Sequence, residues 1–448
     1  MKEKNEGLTR TIARFIVETD AKDIPADVYA HAKVAFLDWL GVIMAGTDDP
    51  LVGKLIQYAD LMGGKEEATI LGHGMKKSLS QAALINGAAS HVLDYDDSSI
   101  TMVGHPSVGM FPSLLALSEW NEKNGHDFLT AYEIGFKVGA VVGSCTGMDH
   151  YMAGWHATST VGHFASAAVC SRLLGLNEQQ TVYALGIAGT QAGGLKSAFG
   201  TMCKPFHAGN ASRNGLTAAL LAKEGFTASE SILEGPDGFF QVAKGKINKE
   251  AVASFGRTWD IEKIAQKYHA SCHATHSPIE GALAIVEKEG LSTDEIKSMK
   301  IYISPLAIGA AGKTEPKTAL EGKFSIPYCV ANALIRGNTG MQAFTDEKVN
   351  APEIRELMKK ISLEVDEKPA SLEARIELET KAGKVYSRVT DIIKDIPELN
   401  VKEVKIKSKF VDLCDPVLGQ KRTEELMEAA LSLEKIESMK SIVELVHT

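Results

Sequence analysis

IPADVYAHAKVAFLDWLGVIMAG, residues 24–46, decides what kind of chain this is. Pro25 stands near its start, apolar residues recur every three or four positions, and Gly46 closes the run. That is a helix with an entry signal and a stop. The same pattern continues up to about residue 265. Ser80 begins SQAALINGAASHVLDYDD, and Thr158–Gly175 and Thr181–Ala198 are further helical stretches dense in Ala and Gly. Small residues at that density let helices approach closely, so packing accounts for most of these glycines. Residues 134–148 (IGFKVGAVVGSCTGM) form the longest apolar stretch, but they are glycine-rich and contain Lys137. They read as a buried helix, since a membrane span needs about 20 apolar residues.

The periodicity changes after Gly290. Lys300–Ser304, Ile361–Val365 and Ala374–Glu379 alternate, and Lys381-Ala-Gly-Lys384 is a turn into Val385–Thr390. Helical stretches at Ser325–Arg336 and Ala351–Lys360 flank these strands, which predicts a small α+β domain. Lys421–Val446 reads as an amphipathic helix that packs back on the first domain. The fold class expected is mainly α: a large all-helical domain with a smaller α+β domain.

Composition removes several functions. Of 448 residues, 44% are apolar and 23% charged, the balance of a globular protein. The formal net charge is −9, and no Lys/Arg run interleaves with aromatics, which argues against nucleic acid as a partner. A local cationic pocket can still bind an acidic small molecule. Six scattered cysteines without a CxxC pair point to reduced thiols. The first twenty residues lack the apolar core of a signal peptide. A cytoplasmic protein without a membrane partner is expected.

Four segments could carry chemistry. His91-Val-Leu-Asp94-Tyr-Asp96-Asp97 puts three carboxylates where a helix should end, against the macrodipole. Mutual repulsion could raise one pKa; a solvated acidic turn is the plainer alternative. His105, before Pro106, and His156, before Ala157, each precede a helix start, where anions are favoured and imidazole tends to stay neutral. Lys204, before Pro205, is expected to be extended ahead of a helix Ala211–Lys223. Among apolar neighbours it could be a base or a cation for a carboxylate. In Lys267-Tyr-His269-Ala-Ser-Cys272-His273-Ala-Thr-His276, the His/Cys spacing suits one helical face. Ser277-Pro278-Ile-Glu280, however, reads as a capping box that starts a helix at 278. The His/Cys run is then the loop feeding it, and its spacing fits no familiar zinc pattern.

Eleven of the 13 histidines lie between residues 73 and 276, which makes the α+β domain a lid or scaffold more than a source of acid–base groups. Together the four loop-to-helix junctions could grip carboxylates while a neighbouring group moves a proton. A metal-dependent hydrolase using Asp94, Asp96 and Asp97 and a non-catalytic metabolite-binding protein are the rival readings.

Several long motifs, in order, resemble the MmgE/PrpD family across nearly the whole chain. They are HVLDYDD with GHPS, GWHATSTVGHFASAA, GTMCKPFHAGNASRNG, and KYHASCHATH with EGKFSIPYCVANAL. The resemblance implies a helical domain of residues 1–266 completed by 405–448, an inserted α+β lid of residues 267–404, an active site between them, and a homodimer. Family members include 2-methylcitrate dehydratases, cis-aconitate decarboxylases and iminodisuccinate epimerases, which move a proton beside a carboxylate without metal or organic cofactor. By motif position the catalytic candidates are Lys204, His105, His156, Asp94 and Cys272. Lys267, His269, His273, Ser98 and His207 are the candidates for binding substrate. The resemblance also places a His at the position of Cys272 in the decarboxylases, and a Tyr where Leu306–Lys313 offers none. Both departures speak against decarboxylation. The expected function is an epimerase-like or dehydratase-like enzyme on a small di- or tricarboxylate, with decarboxylation as the alternative.

Overall fold

The computed structural model describes residues 7–367 and 372–446. They divide into two compact units: the residues up to Gln266 together with those from Leu399 on, and Lys267–Glu398. The second crossing falls at 398–399 rather than 404–405, because Leu399–Leu418 is one continuous helix packed along Ala26–Gly46.

The first unit is built from α1 (Leu8–Glu18), α2 (Ala26–Gly46), α3 (Pro50–Met62), α4 (Leu79–Ala89), α5 (Ser107–Trp120), α6 (Gly125–Met152), α7 (Ala157–Leu174), α8 (Glu178–Gly189) and α9 (Cys203–Lys223). A short antiparallel ribbon joins β1 (Ala68–Ile70) and β2 (Met75–Lys77). α2 is long and apolar enough to cross a bilayer, but 72% of its most apolar stretch is buried inside the molecule. It is a core helix. Its Phe36 and Trp39 meet Phe111 of α5, and Phe111 stacks on Tyr132 of α6 at 4.0 Å between centroids.

α9 packs against both α4 and α7, and the approach depends on glycine. A Cβ on Gly87 would stand 2.8 Å from Gly209 Cα, and one on Gly209 would run into the Leu84 carbonyl. The side-chain-free pair brings the start of α9 close to the turn that follows α4. That turn carries His91 and Asp94.

Two helical expectations change. α8 stops at Gly189 rather than running to Ala198, and the glycine-rich segment beyond it includes Gly194 at φ +129°. The C-terminal stretch is not one helix but Gln420–Leu431, a 3₁₀ turn at Leu433–Lys435, and Lys440–Leu445.

The second unit holds a four-stranded sheet in the order β4–β3–β5–β6, with β3 (Ile296–Ile303), β4 (Ile361–Val365), β5 (Ala374–Thr380) and β6 (Val385–Thr390). β3 pairs with β4 in parallel, Met299 opposite Ile361, and with β5 antiparallel, Ile301 opposite Ile376. Ala374, Ile376 and Leu378 alternate inward and are buried. The helix His276–Glu289 packs on β5 and β6. The chain is mainly α with a smaller α+β unit.

Candidate active site

The site grows from the turn after α4. Asp94 has φ +50°, a left-handed conformation that Asp tolerates better than most residues. Its side chain is half exposed, while Asp96 and Asp97 are buried. A solvated acidic turn therefore describes Asp94 at most.

Asp96 is the hub. His91 Nδ1 lies 2.9 Å from its Oδ1, and His105 Nδ1 lies 3.0 Å from its Oδ2. His105 Nδ1 is also 2.8 Å from the Asp97 carbonyl oxygen, which can only accept, so Nδ1 carries the proton and Nε2 is left for chemistry. Burial alone would raise the Asp96 pKa, but the two imidazoles outweigh it and hold the carboxyl well below its ordinary value. Burial pushes His91 down to about 4, against the pull of Asp96, so its ring is neutral at pH 7. His91 Nε2 is buried and has no hydrogen-bond partner among the described residues.

Asp97 takes the opposite course. Burial, helped by the charges of Asp38 and Asp96, raises its pKa to about 8 even though Ser107 donates to it from both N–H and hydroxyl. Ser107 Oγ is 2.8 Å from Tyr132 Oη, tying this turn to the aromatic core. Desolvation, more than repulsion within the turn, drives the raised pKa.

Helix starts supply the rest. His105 precedes α5, and its N–H donates to Thr158 Oγ1 at 3.1 Å. His156 is the N-cap of α7, with its Nδ1 3.1 Å from His207 Nδ1. Its ring stacks near His91, with centroids 6.0 Å apart. Burial first, then neighbouring His91, His105 and Lys204, drive His156 far below the ordinary imidazole range. Burial also lowers His207. Lys204 Nζ is 2.9 Å from Asp94 Oδ1, and His105 Nε2 approaches the same oxygen at 3.7 Å.

Lys204 itself corrects an expectation, being helical rather than extended. α9 begins at Cys203, so Pro205 falls in the first turn, where an N–H would have no intrahelical partner. The lysine thus stands on a rigid element.

The structure brings together Asp94, His105, His156, Lys204 and His207. Ser98 is nearby in sequence, but its backbone is spent on a two-way bridge to Ala265. His91 is the functional candidate that sequence reasoning passed over, and Asp96 was weighed only as one of three equivalent carboxylates. A histidine five residues before an aspartate was visible; which of three aspartates would be buried was not.

The donor atoms of His91, Asp94, Asp96 and His105 lie within 4.8 Å of one another, close enough for one cation. Against that use, both Nδ1–H groups already point at Asp96, and the Lys204 ammonium already neutralises Asp94. The arrangement fits an ammonium beside neutral imidazoles better than a metal cage.

In the α+β unit, Lys267 is buried. His269 Nδ1 bonds Thr339 Oγ1 at 2.6 Å, and Nε2 pairs with Glu280 at 3.2 Å. Cys272 is half-buried and caps a 3₁₀ turn, His273–Thr275. The following helix starts at His276, not at 278, and Thr275 is its N-cap. Ser277 accepts instead from the Ile392 N–H at 3.2 Å, so the expected capping box does not form. The loop reading holds for 269–272, while buried His276 sits between the rings of His269 and His273.

Two family models match, the MmgE/PrpD N-terminal domain over residues 10–251 and the MmgE/PrpD C-terminal domain over 269–435. Cis-aconitate decarboxylase of Aspergillus terreus is 28% identical over 98% of this chain and 96% of its own. The Homo sapiens cis-aconitate decarboxylase is 26% identical over 96% of this chain and 93% of its own. The mitochondrial 2-methylcitrate dehydratase of Yarrowia lipolytica is 28% identical over 75% of this chain and 68% of its own.

Proposed function

Because this chain is an enzyme of the MmgE/PrpD family, we propose that it moves a proton on the carbon beside a carboxylate of a small di- or tricarboxylate, without metal or organic cofactor. The observation that carries this is the Lys204 ammonium on Asp94, set among imidazoles that burial keeps neutral. A neutral imidazole can accept the α-proton, and the Lys204 ammonium can give one back. The electron pair left on carbon spreads into the carboxylate, and a cation with helix-start N–H groups stabilises that anion. Return of a proton to the opposite face epimerises the carbon. Loss of a β-hydroxyl, protonated as it leaves, gives an alkene and water. Lys204 is the leading proton-transfer group, assisted by His105 or His156. Cys272 and Lys267 join by motif position, as do the candidate binding residues Ser98, His207, His269 and His273.

The test is solvent exchange followed by proton NMR in deuterated water, with citrate-, aconitate- and aspartate-derived acids. Lys204→Ala is expected to lower exchange by about 10²–10⁴-fold while the melting temperature is kept. Undiminished exchange in that variant removes Lys204 from the mechanism. Stoichiometric metal in the purified protein would favour the hydrolase reading, and binding without exchange the non-catalytic one.

Decarboxylation is the second reading. It is favoured by the decarboxylase relatives, which match along nearly the full length, whereas the dehydratase matches cover three quarters or so. Cys272 speaks against it. Carbon dioxide release from cis-aconitate separates the two readings in one assay. We take the working form to be a cytoplasmic homodimer, the assembly being checked by sedimentation.

A further inference from the structure

Behind the Asp96 hub lies a charged pair that the proton-transfer scheme does not use. Lys409, on the helix Leu399–Leu418, places Nζ 2.6 Å from Asp38 Oδ1 of α2, and the two side chains are 3% and 1% exposed. The same Nζ donates to the Tyr95 carbonyl at 2.7 Å and lies 3.8 Å from the centroid of the Tyr95 ring. Tyr95 is itself buried, between Asp94 at φ +50° and Asp96.

A buried ion pair is a poor device for stability, because desolvation consumes most of its Coulomb attraction. An apolar contact would join these helices as well. Gly41 of α2 already lets Phe410 and Leu413 of the same C-terminal helix come close, with a Cβ there meeting Phe410 Cδ2 at 3.2 Å. What the charge adds is direction. The Tyr95 carbonyl belongs to the peptide that leads into Asp96, and rotation of that peptide would swing Asp96 directly and, through Tyr95, the backbone that holds Asp94. Asp94 would leave Lys204, and Asp96 would leave the Nδ1–H groups of His91 and His105.

We propose that Asp38 and Lys409 are positioning residues, holding the Tyr95 peptide so that Asp94 meets Lys204 and Asp96 orients His91 and His105. This rests on the proton-transfer reading for its kinetic arm only. The two residues act through the turn and touch no reacting atom. The C-terminal segment thus returns to the first unit for a reason beyond covering its core: it fixes the geometry of the acid–base cluster.

The test is the double variant Asp38→Leu/Lys409→Met, which replaces the pair by apolar groups of similar size. The melting temperature is expected to stay near that of the parent. Turnover in the exchange assay should fall by about 10²-fold, as for a misplaced catalytic group, with KM changing far less. Nitrogen-15 NMR of the histidine rings should show His91 and His105 losing their fixed Nδ1–H state. Parent-like turnover together with parent-like ring signals would overturn the proposal and leave the pair a packing feature. If the double variant does not fold, Lys409→Arg keeps a cation against Asp38 while displacing the donor from the Tyr95 carbonyl, and the same two readouts decide. If the parent protein exchanges none of the acids, the functional reading fails, and the ring signals still test the positioning role.

Discussion

The molecule has two clusters of histidines, one in each unit, and they differ in what holds the rings. In the helical unit, Asp96 fixes His91 and His105 through Nδ1, leaving their Nε2 atoms for other use, and burial keeps His91 and His156 neutral. In the α+β unit, His269 bonds Thr339 through Nδ1, its Nε2 lies 3.2 Å from Glu280 without a hydrogen bond, and burial drives His276 well below the ordinary range. In the proposed reaction the first cluster exchanges protons, and the second holds the loop that carries Lys267 and Cys272. Counting histidines does not reveal this difference, whereas asking what each nitrogen does reveals it.

The comparison breaks most easily at Asp96. Asp96→Asn keeps the shape of the side chain, but an amide can donate as well as accept, so the proton on His91 is no longer confined to Nδ1, and His105, still held by the Asp97 carbonyl, loses its carboxylate partner. Turnover is expected to fall by roughly 10³–10⁴-fold, the scale seen when a carboxylate that orients a catalytic histidine is replaced in this way. Deuterium exchange measures it. A loss of less than tenfold would mean that Asp96 is not the orienting group.

Paired substitutions sharpen it next. His156→Ala removes a neutral ring from the first cluster and should cost roughly 10²-fold in turnover, at the lower end for a general acid–base group. His269→Ala removes from the second a ring held at Nδ1 by Thr339. As a candidate binding residue it should raise KM while leaving turnover at saturating substrate within a few-fold, and it should cost about 1–2 kcal/mol of stability from the unsatisfied Thr339 hydroxyl. The reverse ranking, with His269 the more costly for turnover, would overturn the division of labour.

How much of this was legible depended on whether the deciding contact was local. The helix 26–46 and the strand 374–380 are set by periodicity over their own length and could be read, as could the second half of the strand 296–303. So could the placing of His105 and His156 at helix starts, since Pro106 and the Ala-rich run after 156 are adjacent in sequence. What escaped depended on distant partners. Lys204 is helical because Pro205 lands in a first turn that began at Cys203, which overrides the usual bias of a residue before proline. Ser277 gives up its capping role to Ile392, more than a hundred residues away. Asp96 and Asp97 look alike in the sequence, yet one receives two imidazole N–H groups and the other a serine backed by Tyr132 of α6.

That divergence between neighbouring aspartates yields the last prediction, and its sign can be worked out. The native Asp97 has a pKa near 8, whereas an unfolded Asp titrates near its ordinary value of 3.8. Between those values the folded state holds a proton that the unfolded state has lost. Stability from this group is therefore fully present below about pH 4 and is lost as pH rises through 8. Asn at this position imitates the protonated acid: its carbonyl accepts from the Ser107 N–H, its amide faces Ser107 Oγ, and the serine hydroxyl turns to Tyr132. Asp97→Asn should thus gain on the parent protein as pH rises from 5 to 8, by roughly 1 kcal/mol per pH unit. Urea unfolding of both proteins at several pH values measures the difference. A difference that does not change with pH would mean Asp97 is ionised when folded, and the contrast with Asp96 would then lie in their partners alone.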